Sequence, residues 1–139
     1  MSREMSYEDL EVGRKLGPKE FTTTEEDIKN YMALIQWSPD NVPQGELFVP
    51  PCYGVSGNVR TLNEALGGAG TGVWAKSEHK YFNTPVPGKK LIKTGRIADK
   101  FVKRGKKYIV WELDTVDEDG RLIYRSRETS VWSLEERTD

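Results

Sequence analysis

Residues 107–120 read KYIVWELDTVDEDG, and this stretch decides the fold class. Ile109, Trp111 and Leu113 alternate with Tyr108, Val110 and Glu112 over a strand of about Lys107 to Val116, and Asp119-Gly120 behind them is a strong hairpin signal. Downstream, about Leu122 to Leu134 continues as a further strand. Upstream, Arg104-Gly105 turns the chain back from a strand over about Lys90 to Val102. Before Pro85-Val86-Pro87-Gly88 lies another, about Gly72 to Phe82. From Thr71 onward there is no helical stripe, so these four strands predict a long antiparallel meander. Each exceeds the usual length of roughly 5 or 6 residues, which predicts a sheet that curves around something long.

The preceding segment supplies the filling. Val55, Val59, Leu62 and Leu66 form one apolar stripe that stops at Gly67-Gly68, which predicts a helix from about Tyr53 to Leu66. Its start is rich in small residues, Gly54, Ser56 and Gly57, which permits close backbone approach and leaves free N–H groups at the positive helix end. A first helix is expected from near Thr24. Thr23 and Glu26 have capping-box spacing, Ile28, Tyr31, Met32 and Ile35 share one face, and Ser38-Pro39 ends it. Residues 38–51 hold Pro39, Pro43, Pro50 and Pro51 and read as a long loop, while Ser6 to Gly17 reads as an opening strand or turn. The class is α+β.

The chain has 139 residues, the size of a single domain spanning 1–139. Its 21 basic and 22 acidic residues are interleaved and leave a net charge of -1, which speaks against a nucleic-acid partner. No run approaches the ~20 apolar residues that span a bilayer. Acidic residues occupy the N-terminal stretch where a secretory signal would be apolar, so a soluble cytoplasmic protein with no membrane contact is expected. The single cysteine, Cys52, allows no intrachain disulfide, and with one histidine, His79, no metal site is expected.

Four phrases carry a resemblance to a known family. Tyr7-Glu8-Asp9-Leu10-Glu11-Val12-Gly13 resembles the opening phrase of the MaoC-like acyl-thioester dehydratases, and Phe21-Thr22-Thr23-Thr24-Glu25-Glu26-Asp27-Ile28 resembles their helix-start phrase. Tyr81-Phe82-Asn83-Thr84-Pro85-Val86-Pro87-Gly88-Lys89-Lys90-Leu91 is similar to their f-x-x-P-v-x-x-G-D-x-L phrase, one residue short before the glycine and with Lys89 at the usual acid. Val49-Pro50-Pro51-Cys52-Tyr53-Gly54 is similar to the central-helix start of N-terminal dehydratase halves and of non-catalytic subunits of heterodimeric (R)-hydratases. The resemblance implies a hotdog fold, a long antiparallel sheet wrapped around a central helix. It also implies pairing with another hotdog subunit, in a homo- or hetero-oligomer whose interface binds the thioester arm of acyl-CoA or acyl-carrier protein. The implied chemistry is reversible hydration of an enoyl thioester, with no cofactor beyond that thioester.

Active members of the family use an Asp and a His in a G-D-x-N-P-x-H phrase after the first helix to position water and move its proton. That phrase is missing. Aligned from Tyr31-Met32-Ala33-Leu34, the Asp position holds Trp37 and the His position falls near Val42. The resemblance therefore implies a subunit that binds the acyl chain beside a catalytic partner, or an enzyme that uses other residues in place of the pair. The alternative is an acyl-thioester-binding hotdog homodimer, or a thioesterase, without dehydratase turnover.

Candidate residues follow from this. Gly54, with Val55 behind it, can offer a helix-start N–H to a thioester carbonyl, although packing alone predicts the same glycine. Asp40 is a candidate displaced acid, with Asn41 beside it facing the substrate, and Asp-Asn is also ordinary turn chemistry. Cys52 lies just before the central helix, as a small buried residue or a substrate contact. Trp37 can fill the space an active site leaves for substrate. His79, the only imidazole, sits on a strand as a surface or interface group or as a catalytic acid/base. Trp74, Trp111 and Trp132 are expected in the core or at an interface. Lys100, Lys103, Arg104, Lys106 and Lys107 form a basic hairpin tip, solvated or attracting CoA phosphates. A thioesterase would want an acid on the central helix, for which Glu64 is weakly placed.

Overall fold

The computed structural model describes residues 6–36, 57–66 and 73–132. In chain order its elements are β1 (Lys15–Thr22), α1 (Glu25–Leu34), α2 (Asn58–Ala65), β2 (Val73–Tyr81), β3 (Lys90–Lys103), β4 (Lys106–Asp117) and β5 (Leu122–Trp132). The strands form one antiparallel sheet of five, ordered β1-β3-β4-β5-β2. The four expected strands are thus present nearly to the residue, and a fifth, β1, starts at the end of the opening segment and runs beyond it to Thr22. The first half forms turns around Tyr7 and Gly13.

The sheet carries α2 on one face. Leu62 of α2 and Leu66, its C-cap, pack with Leu16, Ile97, Ile109, Trp111, Leu113 and Trp132 in one core cluster. The described part of the central helix therefore lies where its stripe predicted, while residues 53–56 of the expected helix lie outside the described residues. On the opposite face, charges meet across strands. Arg125 makes a two-point contact to Asp114 at 2.7 and 3.1 Å, and Arg127 and Arg96 share Glu112 at 2.8 and 3.4 Å. That face needs no cover.

At one end the sheet is closed by the N-terminal turn. The Tyr7 hydroxyl donates to the carbonyls of Phe101 and Tyr108, Lys100 Nζ donates to the Tyr7 carbonyl, and Lys107 pairs with Glu8 at 2.9 Å. Two of the five cations of the basic hairpin tip are thus spent on holding this turn. Trp111 and Trp132 are core residues, as expected, whereas Trp74 stands half exposed on β2.

The first helix starts one residue later than its spacing predicted. Thr24, not Thr23, is the cap: its side chain accepts from Asp27 N at 3.1 Å, and Asp27 Oδ2 accepts from Thr24 N at 3.4 Å. Thr24 has the extended backbone a cap requires, and Asp27 closes the box in place of Glu26 because its shorter side chain sits three residues on. The helix also ends earlier, at Leu34, with Ile35 as its C-cap and Gln36 at a φ of 57°. Only Ile28 and Met32 of the stripe are buried, and Ile35 turns outward. Thr24→Ala is expected to lower folding stability by about 1 kcal/mol, read as a shift in the urea midpoint at unchanged m-value.

Candidate functional site: a buried polar corner beneath the central helix

The inner face of β5 departs from the pattern of a core strand. Tyr124, Ser126, Glu128, Ser130 and Trp132 point towards the core side and all are buried, so three consecutive inward positions in mid-strand are polar. Across from them stand Thr115, Leu113 and Trp111 on β4, and Tyr81, His79 and Ser77 on β2. β3 adds Lys93, opposite Thr115 and fully buried. Asn58, the first residue of α2 and also fully buried, closes the corner from above. Gly57, which caps α2, makes this approach possible: a Cβ there would stand 3.3 Å from Lys93 Cε.

These groups form one hydrogen-bonded network. Lys93 Nζ donates to Asn58 Oδ1 at 2.5 Å and to Thr115 Oγ1 at 3.1 Å, and it also contacts the Tyr124 hydroxyl. Asn58 Nδ2 donates to Ser126 Oγ at 3.0 Å and to Glu128 Oε2 at 3.4 Å. Ser77 donates to Glu128 Oε1 at 3.3 Å, and Ser126 Oγ lies 2.7 Å from His79 Nδ1. Asn58 is the hub. Its amide oxygen must face the lysine, a donor in either charge state, so its amide nitrogen faces the serine and the carboxylate.

Burial sets the protonation of the corner. Removal from water pulls Lys93 down to about 7, with the Glu128 charge opposing that fall. Burial raises Glu128, against the bonds from Asn58 and Ser77 and the charge of Lys93. His79 is held below its ordinary value first by burial and then by the charge of Lys93, so its ring is neutral at physiological pH. Burial raises Tyr124 well above its usual value, which keeps its hydroxyl protonated and able to donate when Lys93 is neutral. Among the described residues no group of three side chains has the make-up of a metal site.

Comparison with known proteins places this architecture. No family model matches the chain, and no curated protein sequence matches it. Solved structures do. A MaoC-like dehydratase from Rhodospirillum rubrum superposes with a TM-score of 0.76 at 18% identity, over 92% of this chain and 96% of that one. The chain has the MaoC-like hotdog fold. Two further hotdog structures agree: a monoamine oxidase regulatory protein from Archaeoglobus fulgius, and the truncated HadBC complex, a 3R-hydroxyacyl-ACP dehydratase, from Mycobacterium tuberculosis. The first has a TM-score of 0.77 at 12% identity over 93% of this chain and 94% of that one. The second has a TM-score of 0.73 at 14% identity over 86% of this chain and 96% of that one.

Within this hotdog fold, one sequence-derived candidate falls in the polar corner, namely His79 on β2. Trp37, Asp40, Asn41, Cys52, Gly54 and Val55 lie outside the described residues. Glu64 is half exposed on α2 and pairs with Lys19 at 2.9 Å on the outside of the helix. Sequence reading missed Asn58, Lys93, Ser126 and Glu128. A signal was present in β5: Tyr124-Arg125-Ser126-Arg127-Glu128 has polar residues in both phases, so a polar patch had to fall on whichever face the helix covers. Among the described residues no helix is long and apolar enough to cross a membrane.

Proposed function

We propose that this chain is a subunit of an enoyl-thioester hydratase or β-hydroxyacyl-thioester dehydratase, and that it binds the acyl chain of an acyl-CoA or acyl-carrier-protein thioester beside a catalytic partner of the same fold. One observation carries the reading: a MaoC-like hotdog fold is kept over 92% of the chain while the Asp and His of the hydration phrase are absent from the sequence. Addition of water to an enoyl thioester needs a base to take the proton of the water and an acid to deliver one to carbon. Trp37 and the neighbourhood of Val42 offer neither, and the sole histidine is engaged in the corner beneath α2.

The sheet edge supports pairing with a second hotdog subunit. β2 terminates the strand order, and eight of its nine residues are exposed, Val73, Trp74 and Tyr81 among them. An edge strand of this length with large apolar side chains is a ready pairing surface. The reading calls for no cofactor beyond the thioester, a cytoplasmic setting, and neither membrane nor nucleic acid as partner.

The test is hydration of trans-enoyl-CoA thioesters of short, long and aromatic acyl groups, by the purified chain alone and mixed with a hotdog protein that carries the Asp/His phrase. Without an acid/base pair the chain alone is expected to fall short of the mixture by on the order of 10²–10⁴ in rate or more. Full turnover by the chain alone overturns the reading. Thioester binding with no turnover in either sample moves the protein to the class of non-converting thioester binders.

A further inference from the structure

On the face of the sheet opposite α2, one row of side chains crosses the strands in register: Lys15, Arg96, Glu112, Arg127 and Glu78. Its signs alternate except at the first step, where Lys15 stands directly across from Arg96. Like charges in directly opposed positions of a sheet repel each other unless a group of the other sign lies between them. The neighbouring acids do not fill that role. Glu112 accepts from Arg127 Nη1 at 2.8 Å and from Arg96 Nη2 only at 3.4 Å, and Asp114 is held at two points by Arg125, at 2.7 and 3.1 Å. The Lys15 side chain has no ion pair or hydrogen bond among the described residues. With each carboxylate assigned to its nearer arginine, Lys15 and Arg96 remain as two uncompensated positive charges. Lys80, across from Arg125 in the next row, is a different case, because Asp114 already neutralises that arginine.

Lys15 and Arg96 also line an open cavity of about 680 Å³ between the start of β1 and strands β3 to β5, a volume in the range of small-ligand sites. Thr94, two residues before Arg96 on the same face of β3, adds a hydroxyl with no partner among the described residues, and Pro18 gives an apolar wall. We infer that this cavity binds a phosphate monoester, with Lys15 Nζ, the Arg96 guanidinium and the Thr94 hydroxyl donating to the phosphate oxygens. A dianion answers both free charges, whereas a single carboxylate leaves one of them over. The cavity is larger than a phosphate group, so an organic body fits beside it against Pro18. Glu112 and Asp114, on the far wall, hold the anion to the β1 side by repulsion. The site lies across the sheet from α2 and the polar corner, and it stands apart from the acyl-thioester reading.

The experiment is equilibrium titration of the full chain, at matched ionic strength, with glycerol phosphate, adenosine monophosphate, inorganic phosphate and acetate. The two esters are expected to bind at least about tenfold more tightly than acetate, and the tighter of them tells a small polyol body from a nucleoside. Lys15→Gln and Arg96→Gln should each weaken ester binding about tenfold, the loss of one charge-assisted hydrogen bond. Lys80→Gln, which removes a cation of the same face outside the cavity, should leave it unchanged. The opposed charges supply a second readout. Without phosphate, Lys15→Gln should raise the thermal midpoint by removing a repulsion, and it should abolish the rise that the ester gives the wild-type chain. Equal weakening by all three variants is the mark of diffuse surface charge and overturns the site, as does absence of ester binding. Acetate or inorganic phosphate binding as tightly as the esters overturns the ligand class. Each of these outcomes leaves the acyl-thioester reading as it was.

Discussion

Gly95→Ala is expected to cost at least about 3 kcal/mol of folding stability, a large share of the roughly 5–15 kcal/mol that keeps an ordinary domain folded. In an open strand the same change would stabilise by roughly 0.5–1 kcal/mol, since alanine loses less backbone freedom on folding. Here the sign reverses because a Cβ at Gly95 would stand 1.8 Å from the Glu112 carbonyl oxygen and 2.8 Å from Leu113 Cδ2. The obstacle is backbone of the neighbouring strand, paired with β3 over most of its length, and it cannot swing aside as a side chain would. The check is urea unfolding of Gly95→Ala beside Gly105→Ala. Gly105 sits at a φ of 75° with nothing within 4 Å of its missing Cβ, so its alanine meets strain but no collision and should lose only about 1 kcal/mol. Equal losses at the two sites would contradict the packing described for β3 and β4.

The second large effect is on stability as a function of pH. Lys93 falls from an ordinary 10.5 to about 7 in the folded chain. Between those values the unfolded chain binds the proton that the folded chain has released, so folding stability rises with pH through this window. Below about 7 both states carry the proton and the penalty of burying it is constant. The full shift, in which the attraction to Glu128 is already included, corresponds to a gain on the order of 5 kcal/mol across the window. Glu128 runs the opposite way at lower pH. Its raised pKa makes the folded chain the better proton binder above 4.5, so stability falls as pH rises through that region. His79, held below 6.5, adds a rise that is complete by its unfolded value. Unfolding free energy measured from pH 7 to roughly 9.5, short of ordinary tyrosine ionisation near 10, should climb in the wild-type chain and lie nearly flat in Lys93→Met. An equal climb in both would place the titrating group elsewhere.

Legibility from sequence followed the physics of each segment. β4 was readable because Ile109, Trp111 and Leu113 all enter the core, and α2 because Leu62 and Leu66 do. The polar corner was not, for two reasons. A lysine or glutamate in a strand is by default a solvent-facing residue, and only the register with neighbouring strands shows that Lys93 and Glu128 face inward. In β3 the pairing also shifts between Ile97 and Asp99, so the inward phase changes there. Leu91, Lys93 and Ile97 share odd numbers with Phe101, yet they are buried and Phe101 is exposed. No two-residue period read through that bulge keeps its face. Three of the four family phrases fall on the N-terminal turn, the start of α1 and the connection from β2 to β3, and the fourth, Val49 to Gly54, lies outside the described residues. The capping-box spacing of Thr23 and Glu26 misplaced the cap by one residue, since Thr22, Thr23 and Thr24 are equally good caps until the backbone chooses.

The strand order has a consequence for the order in which the protein can be born. β1 is joined by β3, but β2, although synthesised before both β3 and β4, has β5 as its one neighbour in the sheet. On the ribosome β2 must therefore wait through β3 and β4 with its backbone unpaired, until Leu122–Trp132 emerges. Ser126 and Glu128 arrive on that same strand, so the His79–Ser126 contact can form only once β5 has emerged. A nascent chain halted in β4 would lack the polar corner and also Ile123, Tyr124 and Trp132 of the core, a species with open apolar surface suited to capture by chaperones.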